Sequence, residues 1–127
     1  NPIMIDIAKM PHLLVAGSTG SGKSVFINSI IAGMITTKTP EEVRMILIDP
    51  KRVELTPYGK IPHLYTEEVI VDTDKAVEVL SCTVTEMMNR FKILEKVGVK
   101  NISDFNKKMG KSHKMWNLLI VIDELAD

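Results

Sequence analysis

The chain has 127 residues, 45% of them hydrophobic and 25% charged, and a formal net charge of zero. That length suits one domain with one core, and the apolar content excludes a largely disordered chain, while neutrality says nothing against a local basic face. A lone cysteine excludes an internal disulfide and fits a reducing compartment, and the absence of any apolar run near the roughly 20 residues of a membrane helix, or of a signal-type start, makes a soluble segment the expectation.

The stretch Ile3 to Ile7 mixes apolar and polar residues and reads as a short edge strand. His12 to Ala16 is an apolar run ending at Gly17, as in a buried strand. From Lys23 to Ile35, the apolar residues Val25, Ile27, Ile30, Ile31 and Met34 fall close to helical spacing, and Thr36 to Pro40 ends the helix. Met45 to Asp49 is a second buried strand, stopped by Pro50. Strand, helix and strand at these lengths make a βαβ unit.

Residues Pro57 to Glu68 contain Gly59 and Pro62 and read as loop. Asp72-Thr73-Asp74 offers caps for a long helix from about Lys75 to Val97, stopped by Gly98. Its predicted core face is Val77, Leu80, Val84, Met87/Met88, Phe91 and Leu94, and Cys82, among apolar neighbours, is expected as a small buried filler. Ser103 is expected to cap a shorter polar helix ending near Gly110. Leu118 to Ile122 is a further buried strand, carrying Asp123 and Glu124 at its carboxyl end. All-apolar strands alternating with helices indicate an α/β fold on a mainly parallel sheet. His12, His63 and His113 lie far apart without Cys partners, so no zinc site is expected. The ends at Asn1 and Asp127 read as those of a fragment, one partial domain over residues 1–127.

Gly17-Ser18-Thr19-Gly20-Ser21-Gly22-Lys23-Ser24 matches the P-loop pattern G-x-x-x-x-G-K-[ST] in full, and Val25 follows it. Gly20 and Gly22 permit a tight turn and close approach to phosphate oxygens. Loop amides and the positive end of the following helix receive negative charge. Lys23 is then the cation for the β and γ phosphates of ATP, and Ser24 a ligand of Mg²⁺. An apolar strand before the motif and an amphipathic helix after it are the context that the chemistry requires.

Asp123 follows five apolar residues, as a Walker B acid does, and is the second candidate Mg²⁺ ligand. Glu124 is the candidate catalytic carboxylate that orients or deprotonates the attacking water. Asp49-Pro50-Lys51 sits at a strand end close in topology to the phosphate site, with the chemistry to contact nucleotide or to organise the sheet edge, although alone it is a turn. Arg90 has the chemistry of an arginine finger for a neighbouring subunit, with a solvated helix position as the plainer reading. Lys107, Lys108, Lys111, His113 and Lys114 form a basic cluster that reads as a solvated loop.

The wording around these motifs resembles the FtsK/SpoIIIE family of DNA translocases. The likeness is carried by Met10-Pro11-His12-Leu13-Leu14-Val15-Ala16-Gly17 leading into the P-loop, and by Ile48-Asp49-Pro50-Lys51-Arg52-Val53-Glu54-Leu55 followed by Tyr58 and Ile61-Pro62-His63-Leu64. It continues through Glu86-Met87, Arg90-Phe91, Val99-Lys100-Asn101-Ile102, Phe105-Asn106 and Val121-Ile122-Asp123-Glu124-Leu125-Ala126-Asp127. Asn89 replaces the first Arg of the family's usual Arg-Arg pair, so any role of that pair rests on Arg90. The stretch Glu67-Glu68-Val69 and the region Lys107 to Asn117 also depart from the pattern.

The resemblance implies a RecA-like P-loop NTPase core, truncated here, with helices flanking the sheet. It implies an ATPase that uses ATP and Mg²⁺ to move double-stranded DNA during chromosome partition at a division septum. A homo-hexameric ring is implied too, on the cytoplasmic face of the bacterial membrane and anchored through a domain outside this chain. Translocation also needs elements that follow Walker B, so poor to moderate ATP binding and little turnover are expected of the isolated fragment. A type VII secretion ATPase, which moves protein, usually shows Pro-His-Gly, a Glu after Lys-Ser, and Asp-Phe/Tyr-Lys-Gly-Gly. Pro11-His12-Leu13, Val25 and Asp49-Pro50-Lys51-Arg52 differ at all of these places. A conjugative coupling ATPase remains a further alternative. Against a nucleotide-responsive assembly module that never hydrolyses ATP stands Glu124, for which such a module has no use.

Overall fold

The structure is a computed structural model that describes residues 22–110 and 114–124. The expected strands at Ile3–Ile7 and His12–Ala16 lie outside the described residues, as do P-loop residues Gly17, Ser18, Thr19, Gly20 and Ser21. The chain divides into two compact units, the first ending at Thr37 and the second starting at Lys38.

In the first unit, helix α1 (Lys23–Thr37) follows Gly22 directly. Its first-turn bond runs from Phe26 N–H to the Gly22 carbonyl at 3.0 Å. Gly22 has φ +96°, a region that L side chains rarely adopt, and nothing lies within 4 Å of where a Cβ would stand. The backbone, not crowding, therefore requires glycine there. At the other end, the hydroxyls of Thr36 and Thr37 donate back to the Ala32 and Gly33 carbonyls four residues earlier.

The second unit is built on strand β1 (Val43–Ile48), which is buried along almost its whole length. Strand β2 (Asn117–Ile122) pairs with it in parallel, from Val43 opposite Asn117 to Ile48 opposite Ile122. Along its other edge β1 is bonded to an irregular segment: Met45 N–H donates to His63 O, Tyr65 N–H to Met45 O, and Asp49 N–H to Ile70 O, each at 2.8 Å. The loop expected over residues 57–68 thus contributes an isolated parallel bridge at Leu64, a second bridge forms beyond it at Ile70, and a short 3₁₀ turn, Thr56–Tyr58, overlaps its start. Beyond Arg44, the stretch Met45–Ile48 is buried on both faces and flanked on both edges, which is why it reads as a continuous apolar run. Burying each such isoleucine contributes about 1.5–3 kcal/mol.

Helix α2 (Thr73–Val97) covers one face of this pair. Asp72 caps it, its Oδ1 accepting from Asp74 N–H at 2.8 Å and Lys75 N–H at 3.3 Å. Gly98, at φ 87°, ends it, its single N–H shared between the Leu94 and Glu95 carbonyls. Ala76, Val79 and Leu80 pack on Ile46, Ile48, Ile70, Leu118, Ile120 and Ile122. The expected core stripe is only partly right. Leu80 and Leu94 point inward, but Val77, Val84, Met87, Met88 and Phe91 are exposed, with Val77 at 64% and Phe91 at 54%. The helix carries apolar residues around more than one face, so periodicity alone misplaced its seam by about one residue. Cys82 is likewise exposed, not buried as expected.

Helix α3 (Ile102–Met109) is capped by Asn101, whose side chain accepts from Asp104 N–H at 2.8 Å, and Ser103 lies within its first turn. The correction follows from the backbone, because Asn101 is extended at φ −150° and Ser103 is already helical. Lys107 and Lys108 belong to the last turn of α3, not to a loop; Lys108 Nζ donates to the Val97 carbonyl at 3.0 Å. The Asn106 amide grips the chain entering β2 at both ends, donating to Met115 O at 3.0 Å and accepting from Met115 N–H at 2.7 Å.

Candidate nucleotide and cation site

In a parallel sheet, ligands are met at the carboxyl ends of the strands, and the chain places its acids there. Asp123 is the first residue beyond β2, and its N–H still donates to the Ile48 carbonyl at 2.9 Å. It is only 3% exposed. Glu124 follows in a left-handed backbone conformation, φ 60°. A non-glycine residue pays roughly 1–2 kcal/mol for that conformation.

Asp49 occupies the equivalent place beyond β1 and is fully buried. Its Oδ2 accepts from the N–H groups of Glu54 at 3.0 Å and Leu55 at 2.9 Å, and its own carbonyl accepts from Arg52 N–H at 3.2 Å. Arg52, like Glu124, is left-handed, at φ 59°. Asp49-Pro50-Lys51 is therefore more than a turn: its acid folds the loop from residue 49 to residue 55 around one oxygen. Sequence reasoning underweighted this residue, although Met45 to Ile48 followed by Asp49 repeats the apolar-run-then-acid pattern that marked Asp123.

Of the other expected site residues, Lys23, Ser24 and Val25 form the first turn of α1, in the first unit. Lys23 and Ser24 are half-buried, whereas Val25 is 73% exposed, so its side chain offers a bound nucleotide little and its backbone more. Asp123 and Glu124 belong to the second unit.

Arg90 takes neither of the roles considered for it. Its Nε donates to Glu86 Oε1 at 3.0 Å, and an Nη donates to the Trp116 carbonyl at 2.7 Å. Its guanidinium lies 4.2 Å from the centroid of the Trp116 ring, which Arg44 approaches at 4.8 Å. Tyr65 completes the group, 5.1 Å from Trp116 ring to ring. A side chain held by two hydrogen bonds and a stacked ring is a structural tie between α2 and the entry to β2. The basic cluster is represented by exposed Lys107, Lys108 and Lys114; Lys111 and His113 lie outside the described residues.

With the geometry in place, comparison with known proteins is decisive. The family model described as FtsK/SpoIIIE family matches residues 1–125. The chain belongs to the FtsK/SpoIIIE family. It is 47% identical over 133 residues to the DNA translocase FtsK of Chlorobaculum tepidum, covering 98% of this chain and 16% of that protein. It is 53% identical over 113 residues to the DNA translocase FtsK of Brucella melitensis, covering 89% of this chain and 14% of that protein. With the DNA translocase FtsK of Mycobacterium tuberculosis H37Rv it shares 47% identity over 137 residues, 98% of this chain and 16% of the relative. The chain thus spans about one sixth of the length of the curated relatives it matches. The family is one of P-loop ATPases, and the α/β architecture and the parallel strand pair are consistent with the P-loop fold that membership implies. Among the described residues, no helix is long and apolar enough to cross a membrane.

The residues present suit an Mg²⁺–nucleotide pair. Mg²⁺ takes oxygen ligands and usually keeps several waters, one or two carboxylates being the protein's share. Among the described residues no group of three or more His, Cys, Asp and Glu forms a cage. A buried acid at the strand end matches the sparse ligation that Mg²⁺ prefers when phosphates supply the rest.

Proposed function

We propose that this chain supplies the ATP-binding half of a motor domain that translocates double-stranded DNA, serving chromosome partition in a homo-hexameric ring. The observation that carries this reading is Asp123, buried at the carboxyl end of a parallel strand and followed by left-handed Glu124, in a chain whose P-loop runs into α1. That the relatives are named DNA translocases supports DNA as the cargo.

In this reading Gly17 to Val25 cradle the phosphates with backbone amides, and the first turn of α1 adds the positive end of its dipole. Lys23 holds the β and γ phosphates as a point charge. Ser24 and Asp123 hold Mg²⁺, which when bound neutralises charge on the β and γ phosphates. Glu124 takes the proton of the attacking water or fixes its orientation, and its left-handed backbone sets the direction of that carboxylate. The full-length protein works at the cytoplasmic face of the membrane, with its anchor elsewhere in the polypeptide.

The test is the ATPase rate of the complete motor domain with linear duplex DNA, with single strands and with no DNA, using Lys23→Ala as the control. Strong stimulation by duplex and loss of turnover in Lys23→Ala are expected. Stimulation by single strands alone would move the assignment to a conjugative coupling ATPase. A rate indifferent to all DNA would move it to a secretion ATPase with protein cargo.

A further inference from the structure

Asp49 does one job visibly and leaves half of its carboxylate over. Oδ2 is saturated by the Glu54 and Leu55 amides. Oδ1 is fully buried and has no hydrogen-bond partner among the described residues. A buried carboxylate oxygen without a hydrogen-bond partner is costly, and such a group marks a place where a ligand completes the site.

The register indicates which ligand. Ile48 pairs with Ile122, so Asp49 and Asp123 hold the next equivalent positions on neighbouring parallel strands. Both remain on the ladder, Asp49 through Ile70 and Asp123 through Ile48. Side chains alternate along a strand, and α2 packs on the face carrying Ile46, Ile48, Ile120 and Ile122. Asp49 and Asp123 therefore share the opposite face, at strands spaced about 4.8 Å apart. Two buried acids set side by side repel each other, and a divalent cation relieves the repulsion while giving Oδ1 its partner.

We propose that Asp49 is a second carboxylate for the divalent cation held by Asp123, its Oδ2 locking the 49–55 loop and its Oδ1 serving the ion or its water shell. This rests on the assignment of Asp123 as the cation's acid. It also links the ion to the loop carrying Lys51 and Arg52, since one carboxylate serves both.

The discriminating variant is Asp49→Asn. It keeps the shape and an acceptor for the two loop amides, but turns an NH₂ toward the cation. The measurement is binding of a fluorescent ATP analogue to the full chain against Mg²⁺ concentration, and again in EDTA, for the unsubstituted protein, Asp49→Asn and Asp123→Asn. For Asp49→Asn, unchanged binding in EDTA and a Mg²⁺ requirement raised about 10-fold or more are expected, the range typical when a group supporting a metal is lost. An unchanged Mg²⁺ requirement in Asp49→Asn, with a raised one in Asp123→Asn, would overturn the proposal and leave Asp49 as a loop latch. Unchanged requirements in both variants would remove the assignment of Asp123 as well. If Asp49→Asn does not fold, electron–nuclear double resonance decides the matter, using Mn²⁺ bound to the unsubstituted chain labelled with ¹³C-carboxyl aspartate. Coupling to two carboxylate carbons supports the proposal; coupling to one overturns it.

Discussion

Arg90 offers the sharpest separation between a residue that acts and one that holds. Its side chain is 14% exposed and its partner Glu86 40%, so the ion pair between them contributes only about 0.3–0.5 kcal/mol. The bond to the Trp116 carbonyl at 2.7 Å is charge-assisted and worth about 1.5–3 kcal/mol. Stacking on the indole adds about 0.5–1 kcal/mol. Because these contributions share one geometry and do not add fully, Arg90→Ala should cost about 2–3 kcal/mol. Arg90→Lys retains the charge but not the fork, and should lose roughly half of that. Trp116 is the chain's one tryptophan, so its fluorescence reports the site directly during urea unfolding. Trp116→Phe keeps the carbonyl and weakens the stacking, so the double-mutant cycle with Arg90→Ala, followed by circular dichroism because the fluorophore is gone, reports chiefly on the ring contact. A loss below about 0.5 kcal/mol in Arg90→Ala, with unaltered Trp116 emission, would refute this reasoning and return Arg90 to the solvent.

Three further outcomes are expected. Glu124→Gly should relieve the left-handed backbone and raise stability by up to about 1 kcal/mol while abolishing turnover in the complete motor; Glu124→Gln should leave ATP bound and unhydrolysed, and single-turnover kinetics separate the two variants. Asn106→Ala should cost about 2 kcal/mol in denaturant unfolding, since both main-chain bonds to Met115 are lost together. The carboxyl of Glu42 is held below its usual value of 4.5, first by accepting from the Thr39 amide and then by the Thr39 hydroxyl and nearby lysines. A depressed carboxyl contributes stability that is present above its unfolded value and lost as pH falls through the folded one. Acid unfolding of Glu42→Gln should therefore show a shallower pH dependence than the parent below about pH 4.5.

Elements were legible in the sequence wherever one local rule decided them. The helix after the P-loop, the capped and glycine-stopped α2, and the two apolar strands all lie within about two residues of their expected limits. The acid at the end of β2 was legible for the same reason, as a charge that closes an apolar run. What stayed hidden depended on contacts across the chain. The burial of Ala76 and exposure of Val77 turn on which side of α2 meets the sheet, and both sides carry apolar residues. The tie between Arg90 and Trp116 spans 26 positions, and His63 is fixed by the carbonyl of Lys38, 25 positions earlier. No local pattern announces bonds of that reach. Asn101 in place of Ser103 as the cap is a different kind of miss: both residues can cap, and only the backbone angle chooses.

The two ends of the parallel pair are built on opposite physical terms. At the amino end, Arg44, Tyr65, Arg90 and Trp116 interlock, Asn106 clamps Met115, and Asn117 N–H donates to the Glu42 carbonyl at 2.8 Å. Each of these groups finds a partner, and substitutions among them should register as stability. At the carboxyl end lie two buried acids directly after the last paired positions, and two left-handed residues, Arg52 and Glu124, within four residues of them. Strain and like charge at that end lower stability, and neither improves packing. A firmly tied amino end is what lets a sheet of only two described strands tolerate such an edge. It follows that losses at the amino end should be offset by stabilising changes elsewhere in the fold, whereas no gain in stability should restore function lost at Asp123 or Glu124.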